Sequence, residues 1–446
     1  MQLKLKMFHE GNAPLANGHT RDSLLRLSDD EFESNHGFIQ WAFPTNVKSQ
    51  QNVAAPVLDL QSAVWLANEP SFITFLEDMT AHFLGFLKRN KHWIKAYDHN
   101  HLRISRAIDA IRLLHSWELA SWFHGRVLEF AGDADQLMPK AAAIWENKAD
   151  PRHDRVAGAF VGLAIGDALG APVEFCRRGT FELVEGFRAG GKFDLPAGAW
   201  TDDTAMALCL AQSLIEMHEI EPKDLLERFA RWLEFGENTS TGVAVGVGQN
   251  TLRVLGEFKR NGTLEAVRFG SKNDGNGSLM RLAPVACGGT FTPEMVISMA
   301  SAQSRSTHAS DIADECCQFT ALLINELLCG NDYVEARRNL TEGDWSYPLQ
   351  SILDIDYTEF SDVGIRASGY VVDTLQAALW AVETSQSFEQ AVLKAVNLGD
   401  DADTVGAVAG QIAGARYGYT NVPNKLKHEL INERELYVMS QFLSAL

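Results

Sequence analysis

The run Gly158-Ala159-Phe160-Val161-Gly162-Leu163-Ala164-Ile165-Gly166-Asp167-Ala168-Leu169-Gly170 places a glycine at every fourth residue. On a helix, residues four apart lie one above the other, so these glycines form a nearly bare ridge. Glycine costs up to about 1 kcal/mol per helical position relative to alanine, so a whole row of them needs a packing or ligand reason. The row predicts close approach by another backbone. Near the other end of the chain, Gly406, Gly410, Gly414 and Gly418 repeat the same step. Strand signals are scarce throughout, no period of 20–50 residues marks a solenoid, and the chain reads as helical.

Two glycine- or alanine-rich helical segments are each entered through an acidic loop. Trp200-Thr201-Asp202-Asp203-Thr204 leads into an apolar run with Met206, Leu208, Leu210 and Leu214, and Thr201 or Asp202 is its natural N-cap. Leu398-Gly399-Asp400-Asp401-Ala402-Asp403-Thr404 opens the second glycine-stepped segment. One carboxylate suffices for a cap, so the others repel each other unless a cation or protons offset them. If the two helix starts meet, Thr201, Asp202, Asp203, Asp401, Asp403 and Thr404 form an oxygen cage. Such a cage suits two divalent cations better than one. Mg²⁺ is favoured because thiolate and histidine ligands are absent, and Mn²⁺ is admitted by the same donors. Gly275-Asn276-Gly277-Ser278-Leu279-Met280-Arg281 is a turn whose backbone N–H groups can cradle a phosphate or ribose.

Composition sets the outer bounds. The chain has 446 residues with 39 basic and 58 acidic side chains, a net charge of 39 − 58 = −19. That balance argues against a nucleic-acid partner, which calls for a basic face. No apolar run in the sequence approaches the roughly 18 residues of a membrane span, and the first residues lack a secretory core. The six cysteines lack metal-ligand spacing, and a reducing cytoplasm is the expected location. Charge is unevenly spread: residues 1–150 carry 15 basic and 18 acidic groups, net −3, leaving −16 for the remainder. Six of 35 glycines precede residue 151, against six of ten tryptophans. This divides the chain into a flexible lead-in (1–30), a helical module (31–150) and a larger domain (151–446). In the module, Ile104, Ile108, Ile111, Leu114, Leu119 and Trp122 mark one buried stripe over 103–130, with Asn100 as its cap. Trp41, Phe43, Trp117 and Trp122 read as core aromatics.

The region from about Asp154 to Tyr417, with these motifs in order plus Ser306-Thr307-His308, resembles the ADP-ribosylglycohydrolase family, the group around dinitrogenase reductase-activating glycohydrolase. The resemblance implies an all-α fold with a central cleft holding two Mg²⁺, preceded here by a smaller helical domain. Thr201, Asp202, Asp203, Asp401, Asp403 and Thr404 would bind metal. Asn276, Gly277, Ser278 and Met280 would line the ADP-ribose site with His308 nearby. Asp203 or Asp401 would activate water, and Glu174 would serve as acid/base or gate. Gly399-Asp400 stands where many members have Gly-Gly, and Val243-Ala244-Val245-Gly246 where some arginine-directed bacterial members carry an Asp. The implied activity is hydrolytic release of ADP-ribose from protein side chains, most of all arginine, in a bacterial setting that includes immunity to an ADP-ribosylating toxin. Its partners would be an ADP-ribosylated protein and such a toxin, with no nucleic acid and no membrane.

The opening His36-Gly37-Phe38-Ile39-Gln40-Trp41-Ala42-Phe43-Pro44, with Asn52 to Leu58 and Asn100 to Arg106, resembles the helical region of the opioid growth factor receptor family. That family implies no chemistry. The added module motivates an alternative function, a binding protein that blocks an ADP-ribosyltransferase stoichiometrically.

Overall fold

The computed structural model describes residues 3–49, 52, 54–268 and 273–446. The described residues form helices and short 3₁₀ turns without a strand, and only the bridges Gly190–Leu195 and Gly275–Tyr370 pair extended backbone. The chain separates into two compact units, Met1–His153 and Asp154–Leu446.

The first unit is built on the helices Pro70–Arg89, His99–Leu114 and Trp117–Ala131. Phe32 stacks on Phe83 and Phe86 and meets Phe38 edge-on at its centre. Three expectations change here. Residues before 31 are packed where they are described: the helix Leu3–His9 buries Leu5 and Phe8, and Arg21 donates from Nη1 to the His9 carbonyl at 2.8 Å. The stripe expected over 103–130 is two helices, because the chain breaks at His115 and Ser116 accepts from the Leu119 N–H as a new cap. The second helix then buries Ala120, Phe123 and Val127, which leaves Trp122 exposed. Asp98, not Asn100, caps the first; the Asn100 amide is committed to Glu33 and Arg103.

The second unit turns on the paired glycine rows. The helices Arg152–Gly170 and Ala402–Tyr417 lie antiparallel, with Gly158 facing Gly414, Gly162 facing Gly410, Gly166 facing Gly406, and Gly170 facing Ala402. A Cβ on any of these glycines would come within 3.0 Å of the opposite backbone. Each backbone thus fills the space a side chain would take, and close packing extends along the whole seam. One end of the seam is fastened by Asp154, which accepts from Thr420 N at 3.0 Å and Thr420 Oγ1 at 2.7 Å. Gly418, at φ +79°, turns the chain there beneath Asp154. The helices Val371–Glu383 and Phe388–Val396 pack on the second glycine helix.

A stretch within Pro139–Val173 is long and apolar enough by composition to cross a membrane, contrary to the sequence expectation, and 94% of that window is buried inside the fold. Burial in protein accounts for its apolar character.

Candidate metal centre and cleft

The antiparallel register decides what meets at the far end of the seam. Pairing Gly170 with Ala402 sets the last turn of the first glycine helix against the first turn of the second. The helix Asp202–Met217 begins at the same place. Asp167, one turn before Gly170, is fully buried there. Its carboxylate accepts from Thr201 N (2.9 Å), Thr204 N (3.0 Å), Thr201 Oγ1 (2.9 Å) and Thr204 Oγ1 (2.6 Å). Thr201 holds the N-cap position but makes no side-chain cap. The cap comes instead from Asp167, 34 residues upstream in the chain. The sequence analysis gave this aspartate no role. An acid inside an otherwise apolar buried ridge was the signal for it, since such a charge persists only when bonded.

Two overlapping carboxylate groups form around this point. One oxygen each from Asp167, Asp203 and Asp403 lies within 4.8 Å of the others, and the same holds for Glu174, Asp401 and Asp403. Asp403 belongs to both. Asp203 Oδ1 and Glu174 Oε2 are buried with no hydrogen-bond partner. Burial, reinforced by the neighbouring carboxylates, pushes Glu174 and Asp202 up to about 8 and raises Asp203, Asp403 and Asp401. Asp167 rises only to about 6, because its hydrogen bonds oppose its burial. Orphaned buried carboxylate oxygens in an all-oxygen donor set fit hard divalent cations, which would replace the protons these groups otherwise hold.

A cleft of about 590 Å³ opens over the acids. Its wall includes Glu174, Asp202, Asn276, Gly277, Met280, His308, Asp401, Asp403 and Thr404, but not Thr201, Asp203 or Ser278. Asp202 and Asp203 therefore diverge: Asp203 faces back towards Asp167, while Asp202 turns to the cleft beneath Gly246. Gly246, at φ +82°, is where a Cβ would strike the Asp202 carboxylate. Asn276 donates from Nδ2 to Asp401 Oδ2 at 2.7 Å and to Thr374 Oγ1 at 2.9 Å, so it positions a cleft carboxylate. Ser278, expected against ADP-ribose, is fully buried behind the loop and accepts from Ser304 Oγ at 2.9 Å.

Arg281 ties the Gly277 turn to Gln303 and Thr307. Its buried guanidinium donates to the Gly277 carbonyl (3.0 Å), the Gln303 carbonyl (3.0 Å) and Thr307 Oγ1 (2.7 Å). Burial lowers it to about 10, which leaves it a cation at neutral pH. His308 lies against Gly277, and burial followed by Arg281 lowers it to about 3, so it is a neutral ring in the wall. At the rim, Phe175 (φ 65°) and Asp400 (φ 53°) both take the left-handed backbone that favours glycine. They are locked by Phe175 N to Asp400 O (2.6 Å) and Asp400 N to Cys176 O (2.7 Å). Lys192 Nζ sits 4.1 Å over the Phe175 ring.

Residues 148–445 match the family model described as ADP-ribosylglycohydrolase. The chain belongs to the ADP-ribosylglycohydrolase family. It is 36% identical over 292 residues to ADP-ribosylarginine hydrolase Tri1 of Serratia proteamaculans (strain 568), covering 65% of this chain and 79% of that protein. The protein of the same name from Pseudomonas putida (strain GB-1) is 39% identical over 295 residues, covering 65% and 78%. ADP-ribosyl-[dinitrogen reductase] glycohydrolase of Rhodospirillum rubrum is 33% identical over 276 residues, covering 61% and 88%. A solved structure titled ADP-ribosylglycohydrolase-related protein complex aligns at TM-score 0.57 and 37% identity, over 66% of this chain and 99% of that one. The chain is thus an all-α glycohydrolase whose activity is hydrolytic removal of ADP-ribose, and the seam, acids and cleft all lie within the matched region.

Proposed function

We propose that this ADP-ribosylglycohydrolase removes ADP-ribose from arginine side chains of modified proteins and depends on two divalent cations, Mg²⁺ before Mn²⁺. The observation that carries the reading is the pair of carboxylate groups sharing Asp403 at the floor of one cleft. Asp167, Asp203 and Asp403 would hold one cation and Asp401 and Asp403 the other, with Glu174 beside them left free to keep its proton. Bound there, the cations orient ribose hydroxyls and acidify a water. Breaking the bond between the anomeric carbon and the arginine nitrogen builds positive charge on the ribose, and the acidic cleft stabilises it. Asp401 reaches the cleft and is aimed by Asn276, so it takes the proton of the attacking water; Asp203 stays behind it. Glu174, with Oε2 free, hands a proton to the leaving nitrogen. The neutral wall of His308, Gly277 and Met280 receives the substrate body.

Names of the relatives support the arginine linkage, two of them being called ADP-ribosylarginine hydrolases. We further propose a cytoplasmic site of action, supported by six free cysteines. A bacterial immunity role against an ADP-ribosylating toxin is part of the same proposal. A first unit outside the family match supports stoichiometric blocking of that toxin as a second activity. The test is incubation with arginine-, serine- and nucleotide-linked ADP-ribose, with and without EDTA. Release from arginine that EDTA abolishes is expected. Release unaffected by EDTA, or full activity in Asp403→Ala, would overturn the reading. Toxin protection that survives Asp403→Ala would establish blocking, and its loss would assign protection to hydrolysis alone.

A further inference from the structure

The first unit contains a cavity of about 740 Å³ whose charge is opposite to that of the protein as a whole. Its wall carries Lys48, Arg103, Arg106 and Lys148 against a single carboxylate, Asp109. That carboxylate is already engaged by Lys148 and Arg112. Among the described residues, neither arginine makes a hydrogen bond to a carboxylate. Arg103, 4% exposed, bonds the carbonyls of Phe32 (2.9 Å), Glu33 (3.2 Å) and Asn35 (3.0 Å), the Asn100 amide oxygen and His36 Nδ1. Arg106 reaches only the Phe43 and Val47 carbonyls, at 3.3 and 3.5 Å. Burial lowers both, and nearby Glu33 and Asp109 act on them only through space. Arg106 is half-buried with only two long carbonyl contacts on its fork, and a guanidinium so placed suits a carboxylate.

A second buried group points the same way. Gln40 lines this cavity at 6% exposure, and its Oε1 has no partner among the described residues. It needs a donor, which a peptide N–H supplies and a bare anion does not. An adjoining cavity of about 510 Å³ shares His99, Leu102 and Ser105 with the first. Along the two run Val47, Leu102 (58% exposed), Tyr97 (76% exposed) and Ile144, all large apolar side chains left uncovered. Contiguous exposed apolar surface of this kind marks an interaction site.

We infer that this double cavity is a docking groove for an extended polypeptide segment of a partner protein, one that sets an Asp or Glu against Arg106, between Lys48 and Lys148, with apolar side chains on either side. The carboxylate fills the ionic vacancy, a backbone N–H satisfies Gln40, and apolar residues cover Leu102 and Tyr97. Nothing in this groove belongs to the hydrolase site, so its occupancy and ADP-ribose release are separable.

The test is selection of phage-displayed random dodecapeptides on the immobilised full-length protein, followed by fluorescence anisotropy with the consensus peptide. The expected consensus has one acidic position flanked by Leu, Phe or Tyr. Arg106→Gln, which keeps donors for the two carbonyls, and Leu102→Asp, on the exposed rim, are each expected to weaken binding at least tenfold. Both variants should retain wild-type ADP-ribosyl-arginine hydrolysis and melting temperature. A consensus with no acidic position, equal affinity in both variants, or displacement of the peptide by single-stranded RNA or millimolar inorganic phosphate would overturn the inference.

Discussion

Asp167 is the residue on which the centre's geometry rests, because one carboxylate holds two N–H groups, those of Thr201 and Thr204, at another helix's start. Asp167→Ala leaves those donors buried and unsatisfied, a loss of about 1–3 kcal/mol that a denaturant titration will read as a lower midpoint. Asn276→Ala frees Asp401 from its aiming bond and should cost about 10- to 100-fold in activity or cation affinity, read by Mg²⁺ titration of the rate. The acids also set a pH dependence. Glu174 and Asp202 rise to about 8 when folded, above their unfolded values near roughly 4, so the folded metal-free protein binds more protons. Their contribution is full at low pH and is lost as pH climbs through about 8. The melting temperature of the EDTA-treated protein should therefore fall across this window. The gain from added Mg²⁺ should grow across it. The meeting of Asp203, Asp401 and Asp403 was legible in the sequence, where Thr201, Asp202, Asp203, Asp401, Asp403 and Thr404 crowd two helix starts and crowded acids there have few uses. Asp167 and Arg281 were not, since their importance lies in what stands opposite them. Ser278 was misread because a residue two places from Asn276 in a tight turn points away from it.

The seam between the glycine helices makes the sharpest prediction at the level of elements. Gly166→Ala and Gly410→Ala drive a methyl into the facing backbone, and each should destabilise by about 1–3 kcal/mol or more in urea unfolding. Gly125→Ala and Gly256→Ala, on helices with open space around them, should instead stabilise by about 0.5–1 kcal/mol. The contrast separates packing from helix propensity, since all four changes improve propensity equally. Four-residue spacing in both rows was enough to foresee a close approach. It could not give the antiparallel register, because pairing Gly158 with Gly414 or with Gly406 satisfies the spacing alike. The module's helices show the opposite failure. Apolar residues occur densely enough over 103–130 that a stripe continues on paper through His115 and Ser116, where the chain turns.

At the scale of the whole molecule, a cation bound only by the folded second unit stabilises that unit alone. Calorimetry of the full chain should show two transitions, with saturating Mg²⁺ raising one and leaving the other in place. A single transition, shifted as a whole, would show that the units unfold together. Charge and glycine content are uneven along the sequence because the larger unit needs its acids for the cleft and its glycines for the seam. Composition gave no hint of the first unit's groove, whose cations are diluted among acids elsewhere in that unit.

The glycine seam also fixes when the enzyme comes into being. Its halves are contributed by residues 158–170 and 402–418, close to the two limits of the second unit. During synthesis the first half leaves the ribosome with its bare ridge facing water, and its partner follows more than 200 residues later. Asp401 and Asp403 arrive with that partner. A message cut short anywhere before them yields a polypeptide that can neither close its core nor gather its carboxylates. Activity is conferred only on chains that have been read past the second glycine row.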